Sequence, residues 1–191
     1  MRVGLGKIAD IQAGYSFRSR LESSSGGGVA VVQMKDLTSA NRVRCDELVM
    51  VDMELSKQGH LLRAGDIIFR SRGLVMGSAI LLDDLDHAVV AAPLLRIRCK
   101  QGVVLPAYLN WYINQQPAQN YLASYSEGTA LKMISKQSLE SLAIVVPSLE
   151  RQQMIVELAA LSEQEQELIK KIAEKRSQHI IGRLLQFAEG G

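Results

Sequence analysis

The sequence predicts an α+β fold: a strand-rich globular domain over residues 1–147, followed by one long C-terminal coiled-coil helix over residues 148–191. Three observations carry this reading. Short β-branched and apolar runs alternate with Gly, Pro and Asp turn signals through the first hundred residues. Pro106 and Pro117 each stand where a helix would begin. From Leu149 to Phe187 there is no proline and a single glycine, Gly182.

Val3 to Ala13 is short and mixed, and Gly14 to Arg20 then leads into a Ser/Gly tract, Ser23 to Gly28, that reads as a loop. Val29 to Met34 and Leu48 to Met53 are the first clear strand candidates. Gly65-Asp66 marks a turn ahead of the apolar strand Ile67 to Arg70, after which Ser71-Arg72-Gly73 opens a small basic loop. Ser78 to Leu82, Ala88 to Ala92 and Leu94 to Arg98 follow as strands, separated by the acidic turn Asp83-Asp84-Leu85-Asp86 and by Pro93. Leu109, Tyr112 and Ile113 give the segment after Pro106 a helical face, and Tyr121 and Leu122 do so after Pro117. Tyr108, Trp111 and Tyr112 read as packing rather than as platforms for stacked bases. A helix start at Ser135 to Leu139 precedes the apolar strand Leu142 to Val146, which Pro147 closes.

Ser148 is the expected N-cap of the last helix, whose residues would extend about 58 Å at roughly 1.5 Å each. Met154, Leu158, Leu161, Leu168 and Ile172 fall at alternating four- and three-residue steps, with Glu165 as a polar interruption. A second set, Ile169, Ala173, Ile180, Leu184 and Phe187, implies a further packing partner or a change of stripe. An amphipathic helix folded back over its own sheet is the alternative. The length favours a partner.

The chain has 191 residues, 47% of them hydrophobic, which excludes a disordered tail or a low-complexity chain. Its 22 Lys+Arg against 20 Asp+Glu leave a net charge of +2, too mild to announce nucleic acid by itself. Clustering must decide instead. Arg18 and Arg20, Arg42 and Arg44, Arg70 and Arg72, and Arg96 and Arg98 each stand two apart, on one side of an extended segment. Cys45 and Cys99 are isolated, and His60, His87 and His179 have no second ligand at metal spacing, so no metal is expected. No stretch is long and apolar enough for a bilayer and no apolar leader opens the chain, so the expectation is a cytoplasmic protein off the membrane.

No catalytic constellation emerges. Gly4-Leu5-Gly6-Lys7 lacks the spacing of a phosphate-binding loop, no serine occupies a nucleophile elbow, and the acidic turn lacks calcium-loop spacing. What remains is a set of polar loops bearing arginine and lysine. Arginine can fork onto guanine or neutralise a phosphate, while Ser, Thr and backbone N–H groups fix register on the sugar-phosphate chain. The candidate DNA-binding residues are therefore Arg18, Arg20, Lys35, Arg70, Ser71, Arg72, Gly73, Thr129 and Lys132. The competing reading of Arg70 and Arg72 has them bracing a strand end through acidic neighbours such as Asp66.

Several segments together resemble the specificity subunit of type I restriction-modification systems. They are Leu5 to Gly14, Val32 to Leu37, Gly65 to Gly73, Gly128 to Ser135, Leu139 to Pro147 and Leu149 to Ile155, in that order and spacing. The resemblance implies a target recognition domain that reads one half of a split DNA target. It implies a helix that acts as spacer and docks methyltransferase subunits. Methyl transfer would then belong to a partner that binds S-adenosylmethionine, and cleavage to a nuclease/translocase subunit; no cofactor is expected in this chain. Family members carry two recognition domains and two helices, whereas this sequence shows one of each, as in a half-subunit. Two copies pairing through antiparallel helices, with Met154, Leu158, Leu161, Leu168 and Ile172 at the seam, would form a homodimer that reads a split palindrome. The alternative is a protein-interaction adaptor that uses its coiled-coil helix and binds no DNA.

Overall fold

The computed structural model describes residues 1–17, 28–53, 60–73, 76–85, 87–125 and 133–190. By compactness the chain divides into two units, Met1–Gln152 and Gln153–Gly191. The first contains β1 (Arg2–Gly4), α1 (Leu5–Ile8), β2 (Ala9–Ala13), β3 (Val29–Val32), β4 (Val49–Val51), β5 (Ile67–Arg70), β6 (Ser78–Ile80), β7 (Ala88–Val90) and β8 (Leu94–Cys99). The helices α2 (Pro106–Ile113), α3 (Gln116–Ser124) and α4 (Lys136–Glu140) follow, then β9 (Ala143–Val145) and the first turn of α5 (Leu149–Glu189). Strand-rich body and long helix are thus both present.

Three sheets share the strands. β2-β8-β5-β6 is antiparallel throughout, β4-β3-β7 pairs β3 antiparallel with β4 and parallel with β7, and β1 pairs antiparallel with β9. The unassigned stretch Val3 to Ala13 forms two strands around one helical turn. Its pattern was too short to show this, because β1 is defined by its partner: Val3 lies opposite Ile144, 141 positions away.

β3 is buried on both faces, which explains its unbroken β-branched run. Ala30 and Val32 join Ile68, Ala79, Leu81 and Leu94 in a core that draws residues from both larger sheets, while Val29 and Val31 pack with Val89 and Ala91. Two glycines are required by geometry. Gly65 turns the chain into β5 at φ +86°, and a Cβ on Gly14 would meet the main chain of Ala91 at 2.7 Å.

Side-chain amides tie the helices to the sheets. Asn114 accepts from the N–H of Ser78 at 3.0 Å and donates to its carbonyl at 3.0 Å, closing the β6 edge as another strand would. Buried Asn110 accepts from Ser78 Oγ and donates to the carbonyl of Asn41. Tyr108 is packed inside, its hydroxyl donating to the carbonyl of Val145 at 2.7 Å, in line with the packing role read from the sequence.

α5 is a single uninterrupted helix. Ser148 Oγ accepts from the N–H of Arg151, as an N-cap should. No helix among the described residues is long and apolar enough to cross a membrane.

Candidate nucleic-acid interface

At one end of the sheets, five stretches remote in sequence are tied together. Tyr15 bridges to Ala91, and Ala91 N–H donates to Val32 O. Arg70, at the end of β5, donates through Nη2 to the carbonyls of Leu37 at 2.5 Å and Met34 at 3.3 Å. Ser71 donates through Oγ to Pro93 O and receives the N–H of Ile134 at its own carbonyl, 2.8 Å, while Arg72 bridges to Met133. The segments ending at Phe17 and beginning at Met133 are thereby joined to the Ser71-Arg72-Gly73 loop.

The predicted contact residues among those described have distinct places here. Arg72 and Lys35 are exposed, Lys35 in the single 3-10 turn Met34–Asp36 that follows β3. Gly73 lies beside Arg72 at φ +130° with open space where a Cβ would stand. Ser71 is buried and its hydroxyl is held inside the protein. Arg70 is half-buried and braces the 34–37 turn through main-chain oxygens, and Asp66 takes no part in this. The hydrogen bonds of Arg70 go to main-chain oxygens, and its Nε is buried without a partner among the described residues. Arg70 and Arg72 thus bring two cations to the end of β5 on a chain whose net charge is only +2. Arg18, Arg20, Thr129 and Lys132 lie outside the described residues.

Two clefts flank the 34–37 turn. One, of about 390 Å³, is lined by Phe17, Gln33, Met34 and the Ala91–Leu94 segment; the other, of about 480 Å³, by Leu37, Thr38, Asn41, Arg70, Ser78 and Asn114. Gln33 was not singled out from the sequence. Its carbonyl oxygen and Asp36 form a reciprocal cap over the turn, leaving its buried Nε2 without a partner among the described residues. The Gln-x-x-Asp spacing was the available signal.

Other charged residues in the recurring segments hold the fold. Asp36 and Asp66, both buried, each accept the N–H three residues back, from Gln33 at 2.8 Å and Arg63 at 2.9 Å. Asp66 also receives Arg98 in a fork, Nε at 2.7 Å and Nη2 at 2.6 Å, and this hydrogen bonding raises the Arg98 pKa. Arg96 pairs with Asp10 at 2.8 Å; its pKa is lowered, by burial first and then by neighbouring Arg98. The Arg96 and Arg98 pair read from the sequence is thus engaged by carboxylates. Burial pushes the thiol of Cys45 up to about 11, with Asp83 adding to the shift, and that of Cys99 up to about 12, so neither is an activated nucleophile. No group of three potential metal ligands occurs among the described residues.

On α5, the predicted seam stands open. Met154 is 53% exposed, Leu158 70%, Leu161 63%, Leu168 60% and Ile172 52%, far above what a completed apolar interface allows.

A polar, basic loop cluster on a mixed-sheet body, in a chain that ends in a long helix with an unpartnered apolar stripe, defines a macromolecular recognition module. The chain belongs to the family described as the type I restriction modification DNA specificity domain, which matches residues 1–175. Three solved structures share the fold. The HsdS subunit from Thermoanaerobacter tengcongensis matches with a TM-score of 0.64 and 19% identity over 90% of this chain and 39% of that one. A chain from a study of complex assembly and conformational transition of the type I R-M system gives 0.73 and 20% over 97% and 43%. The S subunit from M. genitalium gives 0.60 and 12% over 91% and 41%. This chain therefore spans less than half the length of those subunits. Among curated proteins none matches.

Proposed function

We propose that this chain supplies one DNA-reading half of a type I restriction-modification assembly. The observation that carries the reading is the convergence of Lys35, Arg70 and Arg72 on one end of the body, where the segments ending at Phe17 and starting at Met133 also meet. α5 is the spacer and the docking surface for methyltransferase subunits. Methyl transfer from S-adenosylmethionine, and cleavage where a nuclease/translocase subunit joins, take place in those partners. Two copies pairing through antiparallel helices present two identical recognition domains, and the target is a split palindrome.

Arg72→Ala is expected to weaken DNA binding. If the lost contact is to phosphate, affinity falls about equally for all sequences and the salt slope shrinks by about one; if it is to a base, the cognate site loses about 1–3 kcal/mol and other sites little. Fluorescence anisotropy across a salt series separates these cases. Arg70→Ala, by contrast, is expected to lower stability as well as affinity, because it frees the 34–37 turn. Binding unchanged in both variants would remove this loop from the interface.

Base-resolved mapping of methylation tests the assembly directly, in cells carrying the candidate methyltransferase with and without this chain. A new split palindromic motif that depends on the chain is the expected result. An asymmetric motif would replace the second copy by a different half. No new motif from an assembled complex, together with salt-insensitive behaviour, would favour the protein adaptor.

A further inference from the structure

The uninterrupted α5 allows its apolar stripe to be read along one continuous face. The seven-residue seam fails after Ile172, because its next positions are Lys175, His179, Gly182 and Gln186. An eleven-residue period carries the apolar rows further, to Ile180 and Phe187. Leu158, Ile169 and Ile180 recur at that spacing, as do Leu161 and Ile172, and Met154, Glu165, Arg176 and Phe187. Eleven residues are just over three turns, so each row drifts only about 20° per repeat along the helix. The second apolar set thus continues the first stripe. Within it stand one anion, Glu165, and two cations, Arg176 and Arg183.

The charges along the helix are also divided by sign. Residues 152–168 hold four glutamates and no lysine or arginine, while residues 169–183 hold five cations against the lone Glu174. A parallel, in-register partner would set Glu165 against Glu165 and Arg176 against Arg176. An antiparallel second copy reverses this and places the acidic half on the basic half.

We infer that α5 pairs with α5 of a second copy about a twofold axis lying between Lys170 and Lys171, so that Glu165 of each copy meets Arg176 of the other. The same register sets Met154 opposite Phe187, Leu161 opposite Ile180, and Ile169 opposite Ile172. Leu158 falls opposite Arg183, whose aliphatic stem covers it while the guanidinium lies 5.5 Å over the Phe187 ring. All the apolar members named are more than half exposed in the single chain, the condition for such a seam to form. The two Glu165–Arg176 pairs are the registration device: sliding either helix by one turn puts each charge against an apolar residue. This register rests on the self-pairing proposed above.

Charge exchange in the full chain tests it, read as mass by light scattering or sedimentation at micromolar concentration. The unaltered chain is expected at twice its 21.0 kDa. Glu165→Arg alone and Arg176→Glu alone each place like charges together at two points, and each should weaken self-association by on the order of tenfold or more. An equimolar mixture of the two variants should recover the pair, because both 165–176 contacts are then complementary, and so should the double variant E165R/R176E. Both positions are exposed on the helix, and unchanged far-UV circular dichroism excludes unfolding as the cause. A dimer indifferent to the exchanges overturns the register and leaves self-pairing intact. An unaltered chain that is monomeric at tens of micromolar overturns the self-pairing itself.

Discussion

Asp66→Ala is expected to lower the unfolding free energy by about 3–5 kcal/mol, measured by urea denaturation. Asp66 is 1% exposed and does two things at once. It closes the turn that launches β5 by accepting the N–H of Arg63, and it receives the Arg98 fork from β8, the strand next to β5. Removing it leaves a half-buried guanidinium without its carboxylate, and main-chain acceptors such as Leu61 O at 2.8 Å do not balance that charge. Pairing the change with Arg98→Met removes the stranded charge and should restore part of the loss. A single variant within about 1 kcal/mol of the unaltered chain would show that the turn alone, and not the ion pair, defines this position.

Gln152→Ala is expected to cost about 2–4 kcal/mol, whereas the same change at neighbouring Gln153 should fall within about 0.5 kcal/mol. Gln152 is fully buried, although it lies on the first turn of α5. Its Oε1 accepts the N–H of Leu105 at 2.8 Å, at the start of α2, and its Nε2 donates to Pro147 O at 3.0 Å and Val103 O at 3.3 Å. One amide thus satisfies main-chain groups from two connections that no secondary structure pairs. Gln153 is exposed and reaches only Glu157, at 2.9 Å. Comparing the two denaturation midpoints isolates the buried amide from any change in helix propensity. Equal midpoints would mean that solvent replaces the Gln152 contacts.

These two residues, with Asp36, lie in the segments that resemble the family and explain why those segments identify it without naming a target. Each makes main-chain hydrogen bonds that hold a turn or helix start in place, so its chemistry is fixed by the fold. Arg72 and Lys35 are exposed and can vary without cost to the fold. Sequence patterns therefore report the scaffold most strongly.

The sequence by itself determined the strands from Val29 onward, the helices begun at Pro106 and Pro117, the cap at Ser148 and the length of α5. Each depends on local periodicity or on a residue acting within one turn of itself. The family was legible for the same reason. Only the tertiary structure decided that Val3 lies against Ile144, that Arg98 and not Arg70 holds Asp66, and that Gln152 is buried while Gln153 is not. It also decided that Arg72 and Met133 share a bridge, which sets the segment starting at Met133 beside the Ser71-Arg72-Gly73 loop. Those outcomes hinge on which partners arrive from 30 to 140 positions away, and no local pattern encodes that. The apolar stripe of α5 lies between the two: its residues are plain in the sequence, but an unbroken helix was needed to show them as one face.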